Sequence, residues 1–484
     1  MKKVFFTALT VLLTYLVSSA QPSIEAFVND PALADAVVGI YAIKGDGRVL
    51  ADVNSKTMLV PASNMKLITT GAALHTLGPD YRFKTEIGHD GHIEDGVLHG
   101  NLYIIGGGDP TLGSKDSIAV NLEETFRQWE KIVRDAGIRK IEGRVIGDGR
   151  WFDGVTEEPS WLISDAGTYY GTGVTGLMFH ENMMSFSVTA GSEVGGPVNI
   201  KPHYPDTPWM EFRYNCTTGK KGTGDLLFMY TSELAPVAEI RGTFGVDRAA
   251  KRVDCSNKFP EYTCAHYFLN YLKKKSIHVS EGCGDFRLDP SWESKGEITA
   301  IGSTLSPSLS RIVFETNHAS NNVYAETLMR TLGRNATGSA CYDSSYVAMN
   351  DILKSLGVKG NVRIQDGSGL SRQNFVSAAF FCSFLEQMMS SPYFEDYVSS
   401  LPSPGKDGTM QYNMKSYPTA MKERIKVKSG SMNGVRCYSG YIIPTEGCKD
   451  ETIIFSIMVN NCTAPTWKVR PLLDKIMATL AEQN

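Results

Sequence analysis

Three short strings constrain this chain most: Ser63-Asn64-Met65-Lys66, Ser320-Asn321-Asn322 and Lys428-Ser429-Gly430. Taken singly, each has a plain reading. Ser63 is a helix cap followed by a surface lysine, Ser320 opens a capped helix, and Lys428 ends a strand at a turn. Taken together they supply a nucleophile, a base and a cationic anchor for a carboxylate. Ser63 and Ser320 lie 257 positions apart, so the fold that unites them must accommodate a large insertion between the two.

The pattern around the strings agrees. Val37 to Ala51 reads as two short strands about the turn Lys44-Gly45-Asp46-Gly47. Pro61-Ala62-Ser63 opens a helix that runs to about Thr76 and stops at Leu77-Gly78-Pro79. Ser63 and Lys66 are three apart and share one helical face. From 82 to 295 the texture changes to short strand-like runs and turns, with one helix near Leu122 to Ala136. Helical texture resumes near Pro307. Ser310 to Leu332 reads as a helix broken at Ser320 and capped by Gly333. Tyr346 to Leu356 and Ala378 to Met389 follow as helices. Ile425 to Lys428, Tyr438 to Ile443 and Glu451 to Val459 read as strands, and Pro471 to Glu482 as a closing helix. The expected organisation is one α/β domain built from 21–81 and 296–484, interrupted by a mainly β insertion of one or two domains at 82–295.

Lys2 and Lys3 precede an apolar run from Val4 to Val17, and Ser18-Ser19-Ala20 offers small residues to a signal peptidase. Residues 1–20 thus read as a secretory signal peptide removed before Gln21. The run falls short of the ~20 apolar residues a membrane span needs. The expected location is the periplasm, with at most loose membrane association, since the closing helix reads as a packed domain helix rather than an interfacial anchor. A net charge of −4 without basic runs argues against nucleic acid as a partner. Nine cysteines in an exported chain permit disulfides and leave at least one thiol over. Cys216, Cys255, Cys264 and Cys283 are close enough in sequence to bridge locally. No cysteine or histidine spacing suggests zinc, and no metal or organic cofactor is expected.

A serine hydroxyl needs a base within hydrogen-bond reach to become a nucleophile. Lys66 serves if burial or a second cation holds it neutral, and Lys428 is the candidate cation. Backbone N–H groups at the helix start can bind an oxyanion. Ser320 can pass a proton to a leaving amine, while Asn322 can hold Lys66 and a substrate carbonyl; Asn321 reads as a spacer. Lys428 with Ser429 can grip a terminal carboxylate, and Gly430 admits a close backbone.

The order Ser-x-x-Lys, Ser-x-Asn, Lys-Ser/Thr-Gly is the signature of penicillin-binding proteins and serine β-lactamases. Nearly the whole mature chain resembles the D-alanyl-D-alanine carboxypeptidase/endopeptidase family of the penicillin-binding protein 4 type. Beyond the strings, the resemblance rests on Gly107-Gly108-Asp109-Pro110-Thr111-Leu112, Gly147-Asp148 with Trp151-Phe152-Asp153, and Tyr169-Tyr170-Gly171. It extends through Asn317-His318-Ala319 to Glu326, Asp366-Gly367-Ser368-Gly369-Leu370-Ser371-Arg372, and Ser431-Met432-Asn433-Gly434-Val435 with Ser439-Gly440-Tyr441. A long insertion after the nucleophile helix is this family's hallmark. The resemblance implies a transpeptidase-like fold and a Ser63 acyl-enzyme formed with the penultimate D-alanine of peptidoglycan stem peptides. It implies Lys66 as general base, Ser320 and Asn322 as proton relay and peptide holders, and Lys428, Ser429 and Gly430 at the carboxylate. It further implies an oxyanion hole from the N–H groups of Ser63 and Ser431, and β-lactams as covalent inhibitors. Ser429 stands where threonine is commoner and keeps the hydroxyl. Asp148 and Asp153 could read a cation on the stem peptide, though turn formation around Trp151-Phe152 accounts for them, as loop shaping accounts for Asp366.

Exo-cleavage of a terminal D-alanine and endo-cleavage of a cross-link share one acyl-enzyme and are not separated by these residues. A β-lactamase would need a group that activates the deacylating water, and no Glu-x-x-Leu-Asn string is present. The non-enzymatic alternative is a protein that binds wall peptides or penicillin, or is acylated without turnover. A pure scaffold would have no need to keep Ser63, Lys66 and Lys428 together, whereas slow deacylation leaves no mark in the sequence.

Overall fold

The computed structural model describes residues 21–289 and 296–483. The signal peptide expected at 1–20 lies outside them. Among the described residues no helix is long and apolar enough to cross a membrane.

The two ends of the chain build one antiparallel sheet. Its order is Ile425–Met432, Val435–Ile442, Ile453–Asn460, Val37–Lys44, Val49–Val53. All eight residues of Ile453–Asn460 are buried, because both faces are covered. Successive side chains on a strand point to opposite faces. Phe455, Ile457 and Val459 accordingly join the helices Gln21–Val28 and Thr466–Ala481 in one core, while Ile454 and Met458 join a second with the helices on the other face. The closing helix starts five residues before the expected Pro471 and carries that proline inside it.

The helix Met65–Leu77 sits in the second core with Leu309–His318, Asn322–Thr337, Tyr342–Ser355 and Ala378–Met389. It buries Met65 through Leu74 without a polar face, as expected of a central helix. The expected break at Ser320 is present: one helix ends at His318 and the next begins at Asn322. Gly333 does not end that helix. Its bare Cα lets Ser345 pack against it, where a Cβ would meet Ser345 Oγ at 2.5 Å, and Gly338 caps the helix instead with φ +79°.

The inserted stretch is rich in strands. One five-stranded sheet runs Cys283–Asp285, Val145–Asp148, Leu102–Ile105, Lys84–His89, Thr299–Leu305. The last of these strands follows position 295, yet it pairs with Lys84–His89 in this sheet. A four-stranded sheet, His278–Val279, Lys140–Ile141, Val97–His99, His92–Glu94, lies beside it in sequence. Helix Leu122–Asp135 and a second helix, Pro260–Lys274, seal their core with Phe126, Trp129, Cys264, Phe268 and Leu272. Two three-stranded sheets enclose a smaller core around Met184, Phe186, Ile240 and Phe244. The local bridges suggested for Cys216, Cys255, Cys264 and Cys283 do not form, and all nine cysteines are free thiols. Cys216 and Cys255 pack in the smaller core and Cys264 in the larger one. Burial pushes the Cys255 thiol up to about 12.

Candidate active site

Ser63 lies in the single 3₁₀ turn Ala62–Asn64 that leads into helix Met65–Leu77. Lys66, one turn on, is fully buried. Its Nζ is 2.6 Å from Asn322 Oδ1, 2.7 Å from the Ser368 carbonyl oxygen and 3.0 Å from Ser63 Oγ. The first two partners only accept hydrogen bonds, whereas the serine hydroxyl can do either. A neutral amine has two N–H donors and one lone pair, so it satisfies this set by donating to Asn322 and Ser368 and accepting from Ser63. Burial pushes the Lys66 ammonium down to about 7, against the Asp366 and Glu326 carboxylates, which favour its charged form.

Ser320 has φ +60°, a left-handed conformation in the break between two helices. Lys428 is fully buried and its Nζ lies 2.9 Å from Ser320 Oγ and 2.8 Å from the Ser429 carbonyl. Burial first and Lys66 second push Lys428 well below the usual lysine range. Of the two expected means of holding Lys66 neutral, burial or a second cation, burial is the leading one for both lysines, and Lys66 helps to depress Lys428. Asn322 Nδ2 donates to the Tyr170 carbonyl at 2.9 Å, which fixes the amide so that its oxygen faces Lys66. Ser429 Oγ is 2.8 Å from Thr409 Oγ1. At Gly430 a Cβ would lie 2.6 Å from the Pro61 carbonyl and 2.9 Å from Asn64 Oδ1. Glycine is what lets the strand Ile425–Met432 run against the Ser63 turn.

The structure thus gathers Ser63, Lys66, Ser320, Asn322, Lys428, Ser429 and Gly430, and Ser431 shares with Ser63 the lining of one cavity of about 810 Å³. Leu162, Asp165, Tyr169, Tyr170 and Glu181, from the inserted stretch, line its opposite wall. Asn321 is more than a spacer. Its Oδ1 accepts from Tyr324 N at 3.2 Å to cap the following helix, and its Nδ2 donates to Glu181 at 2.7 Å. Asp148 and Asp153 are occupied elsewhere: Asp148 pairs with Arg150 at 2.7 Å, and Asp153 accepts from Ser339 Oγ and Ala340 N. Neither lines the cavity.

Sequence reasoning missed the support beneath Lys66. Glu326, buried, accepts from Gly367 N and from Ser368 N at 3.2 and 2.7 Å. Burial and the nearby Asp366 push its carboxyl up. Asp366 accepts from Gly369 N, Asn374 Nδ2 and Trp161 Nε1 at 2.7, 2.8 and 2.8 Å. The loop so held presents the Ser368 carbonyl to Lys66. The signal was present in Asp366-Gly367-Ser368-Gly369, but its target was not legible there.

A serine with a buried lysine 3.0 Å from its hydroxyl, backed by a second Ser–Lys pair on an α/β sheet domain, is the arrangement of the serine acyl-transfer class that includes penicillin-binding proteins and serine β-lactamases. The family description "D-Ala-D-Ala carboxypeptidase 3 (S13)" matches residues 20–481, and the chain belongs to this family of serine peptidases. The chain is 29% identical over 480 residues to a D-alanyl-D-alanine carboxypeptidase of Actinomadura sp. strain R39, covering 95% of this chain and 84% of the relative. It is 24% identical over 422 residues to the D-alanyl-D-alanine carboxypeptidase DacB of Haemophilus influenzae, covering 85% and 83%. The crystal structure of penicillin binding protein 4 from Haemophilus influenzae shares the fold, with a TM-score of 0.80 at 20% identity over 96% of this chain and 98% of that one.

Proposed function

We propose that this chain is a periplasmic serine-type D-alanyl-D-alanine carboxypeptidase or endopeptidase that works on peptidoglycan stem peptides through an acyl-enzyme on Ser63. The observation that carries the reading is the set of partners around Lys66, which a neutral amine satisfies only by accepting from the Ser63 hydroxyl. Ser63 Oγ attacks the penultimate D-alanine carbonyl and its proton passes to Lys66 Nζ. The N–H groups of Ser63 and Ser431 receive the oxyanion. As the C–N bond breaks, Ser320 Oγ, beside Lys428, hands its proton to the leaving amine and takes up the one that Lys66 gained from Ser63, which leaves Lys66 neutral. That amine belongs to a terminal D-alanine in the exo reaction and to a cross-link in the endo reaction. The substrate carboxylate, placed by Ser429 and Lys428, restores the charge on Lys428, since a nearby anion favours the protonated form. Water then cleaves the ester with Lys66 again as base. The secretory leader read at 1–20 supports the periplasmic location.

A solved structure of the Haemophilus influenzae protein is described as complexed with a β-lactam, which supports the same ligand class here. The test is to incubate the mature chain with a fluorescent penicillin and map the adduct by mass spectrometry. A mass increment on the peptide carrying Ser63 is expected. A folded protein with no covalent label would overturn the acyl-enzyme reading in favour of a binding protein.

A further inference from the structure

The hairpin His92–Glu94/Val97–His99 gathers histidine and carboxylate groups that acyl transfer does not use. His92 and His99 face each other across the antiparallel pair, with their rings stacked at 4.8 Å between centroids. Glu94, two residues on from His92, projects from the same face of the strand, and its Oε2 is 3.8 Å from His92 Nε2. Donor atoms of His92, Glu94 and His99 all lie within 4.8 Å of one another. A second observation points the same way: His99 Nδ1 is 2.8 Å from Glu142 Oε2. With Nδ1–H donating to that carboxylate, Nε2 carries the free lone pair. A carboxylate behind a histidine in this way is the usual outer support of a metal ligand. The hairpin base is also held in place. Buried Asp90 accepts from Asn101 N, Asn101 Nδ2 and Tyr103 OH, and Gly91 leaves no room for a Cβ, which would sit 2.2 Å from the His99 carbonyl.

We propose that His92, Glu94 and His99 form a surface site for a borderline-soft divalent cation such as Zn²⁺, with Glu142 orienting His99. Two imidazoles and one carboxylate suit that ion, which completes four-coordination with water. The bound ion would clamp the edge strand His92–Glu94 to its neighbour. The probe is Zn²⁺ alone, titrated calorimetrically into the chelator-free full-length mature protein. Saturable binding of one equivalent is expected, weakened more than about tenfold in His92→Ala and in His99→Ala, and about tenfold in Glu142→Gln. Absence of saturable binding, or binding that persists in both histidine variants because thiols such as exposed Cys448 hold the ion, would overturn the site.

A different observation carries a second inference, which rests on the reading of Ser63 as nucleophile. His180, Glu181 and Asn182 have φ of +52°, +54° and +53°. Three successive non-glycine residues in the left-handed region are costly, and such strain persists only where the surroundings over-determine it. Here all three are buried. His180 Nδ1 lies 3.0 Å from the Gly113 carbonyl, and Asn182 Nδ2 donates to the Gly173 carbonyl at 3.0 Å. The turn delivers the Glu181 carboxylate to Ser114 Oγ at 2.8 Å and to Asn321 Nδ2 at 2.7 Å. Asn321 stands between Ser320 and Asn322, and Ser320 is itself left-handed.

We infer that Glu181 is a positioning residue: it anchors Asn321 and through it sets Ser320 and Asn322 against Lys428 and Lys66. The readout is the second-order rate of acylation by fluorescent penicillin, measured with the melting temperature. Glu181→Ala and Asn321→Ala should each slow acylation about tenfold or more, with little further loss when combined. Glu181→Gln, which keeps an acceptor for Asn321, should recover most of the rate. A lower melting temperature with an unchanged rate in both alanine variants would overturn the inference. A wild-type chain that takes no label would instead bring down the parent reading, and this inference with it.

Discussion

Replacing Lys66 by methionine slows acylation of Ser63 by about a thousandfold, the scale of a lost general base, while Ser63→Ala removes the covalent product altogether. In the wild type the acylation rate climbs as pH rises through about 7, where Lys66 loses its proton, and the Lys66→Met variant loses that step. Stability gives an independent reading of the same group. The folded state holds Lys66 near 7 against an ordinary value of 10.5. Between those values the unfolded chain binds more protons than the folded one, so stability rises with pH across that window and levels off above it. Lys66→Met abolishes this contribution. Methionine fills similar space without a buried charge, and the Asn322 and Ser63 side chains it leaves behind line the open cavity, where water can replace the lost partner. The buried Ser368 carbonyl loses its donor, at a cost of about 1–3 kcal/mol that is small beside a typical stability of about 5–15 kcal/mol. The variant therefore folds, and a flattened profile of unfolding free energy against pH checks it. An acylation profile without a step near 7, or one retained in Lys66→Met, would show that another group takes the proton.

The catalytic strings were legible because each pairs a side chain with a local backbone role: Ser63 with a helix start, Ser320 with a helix break, Gly430 with a strand that another backbone must approach. What supports them was not legible, because it depends on contacts far apart in sequence. Glu326 lies buried in a helix and reads as any helical glutamate until the loop at Gly367 and Ser368 is laid over it. Glu181 gives no signal at all, since nothing in His180-Glu181-Asn182 announces a left-handed turn. The helix Pro260–Lys274 was overlooked within a stretch read as strands and turns. Its tyrosines, phenylalanine and threonine favour strands, and the helix-start signals are confined to Pro260 and Glu261 in its first turn. The misplaced helix end at Gly333 has the opposite cause. That glycine serves close packing with Ser345, a tertiary reason that one sequence cannot distinguish from a cap.

Gly369→Ala separates backbone strain from steric intrusion at the nucleophile. Gly369 has φ +84°, and a Cβ there would lie 1.8 Å from the Ala62 carbonyl and 3.1 Å from Met65 Cβ. Ala62 is itself left-handed, with φ +46°, so the turn that carries Ser63 is already held in an unfavourable conformation by what packs on it. A left-handed alanine costs about 1–2 kcal/mol on its own. The clash adds to this, and it can be relieved only by moving the Ser63 turn or the loop that presents the Ser368 carbonyl to Lys66. A displacement of about 1 Å at reacting groups lowers rates on the order of a hundredfold, so acylation should fall by about that factor together with a lower melting temperature. Gly222→Ala is the matched control: its φ is +82° and nothing lies within 4 Å of the added Cβ. It carries the strain without the intrusion and should lose about 1–2 kcal/mol of stability with acylation unchanged. Equal acylation rates in the two variants would mean that the Ser63 turn does not depend on the loop at Gly369 for its position.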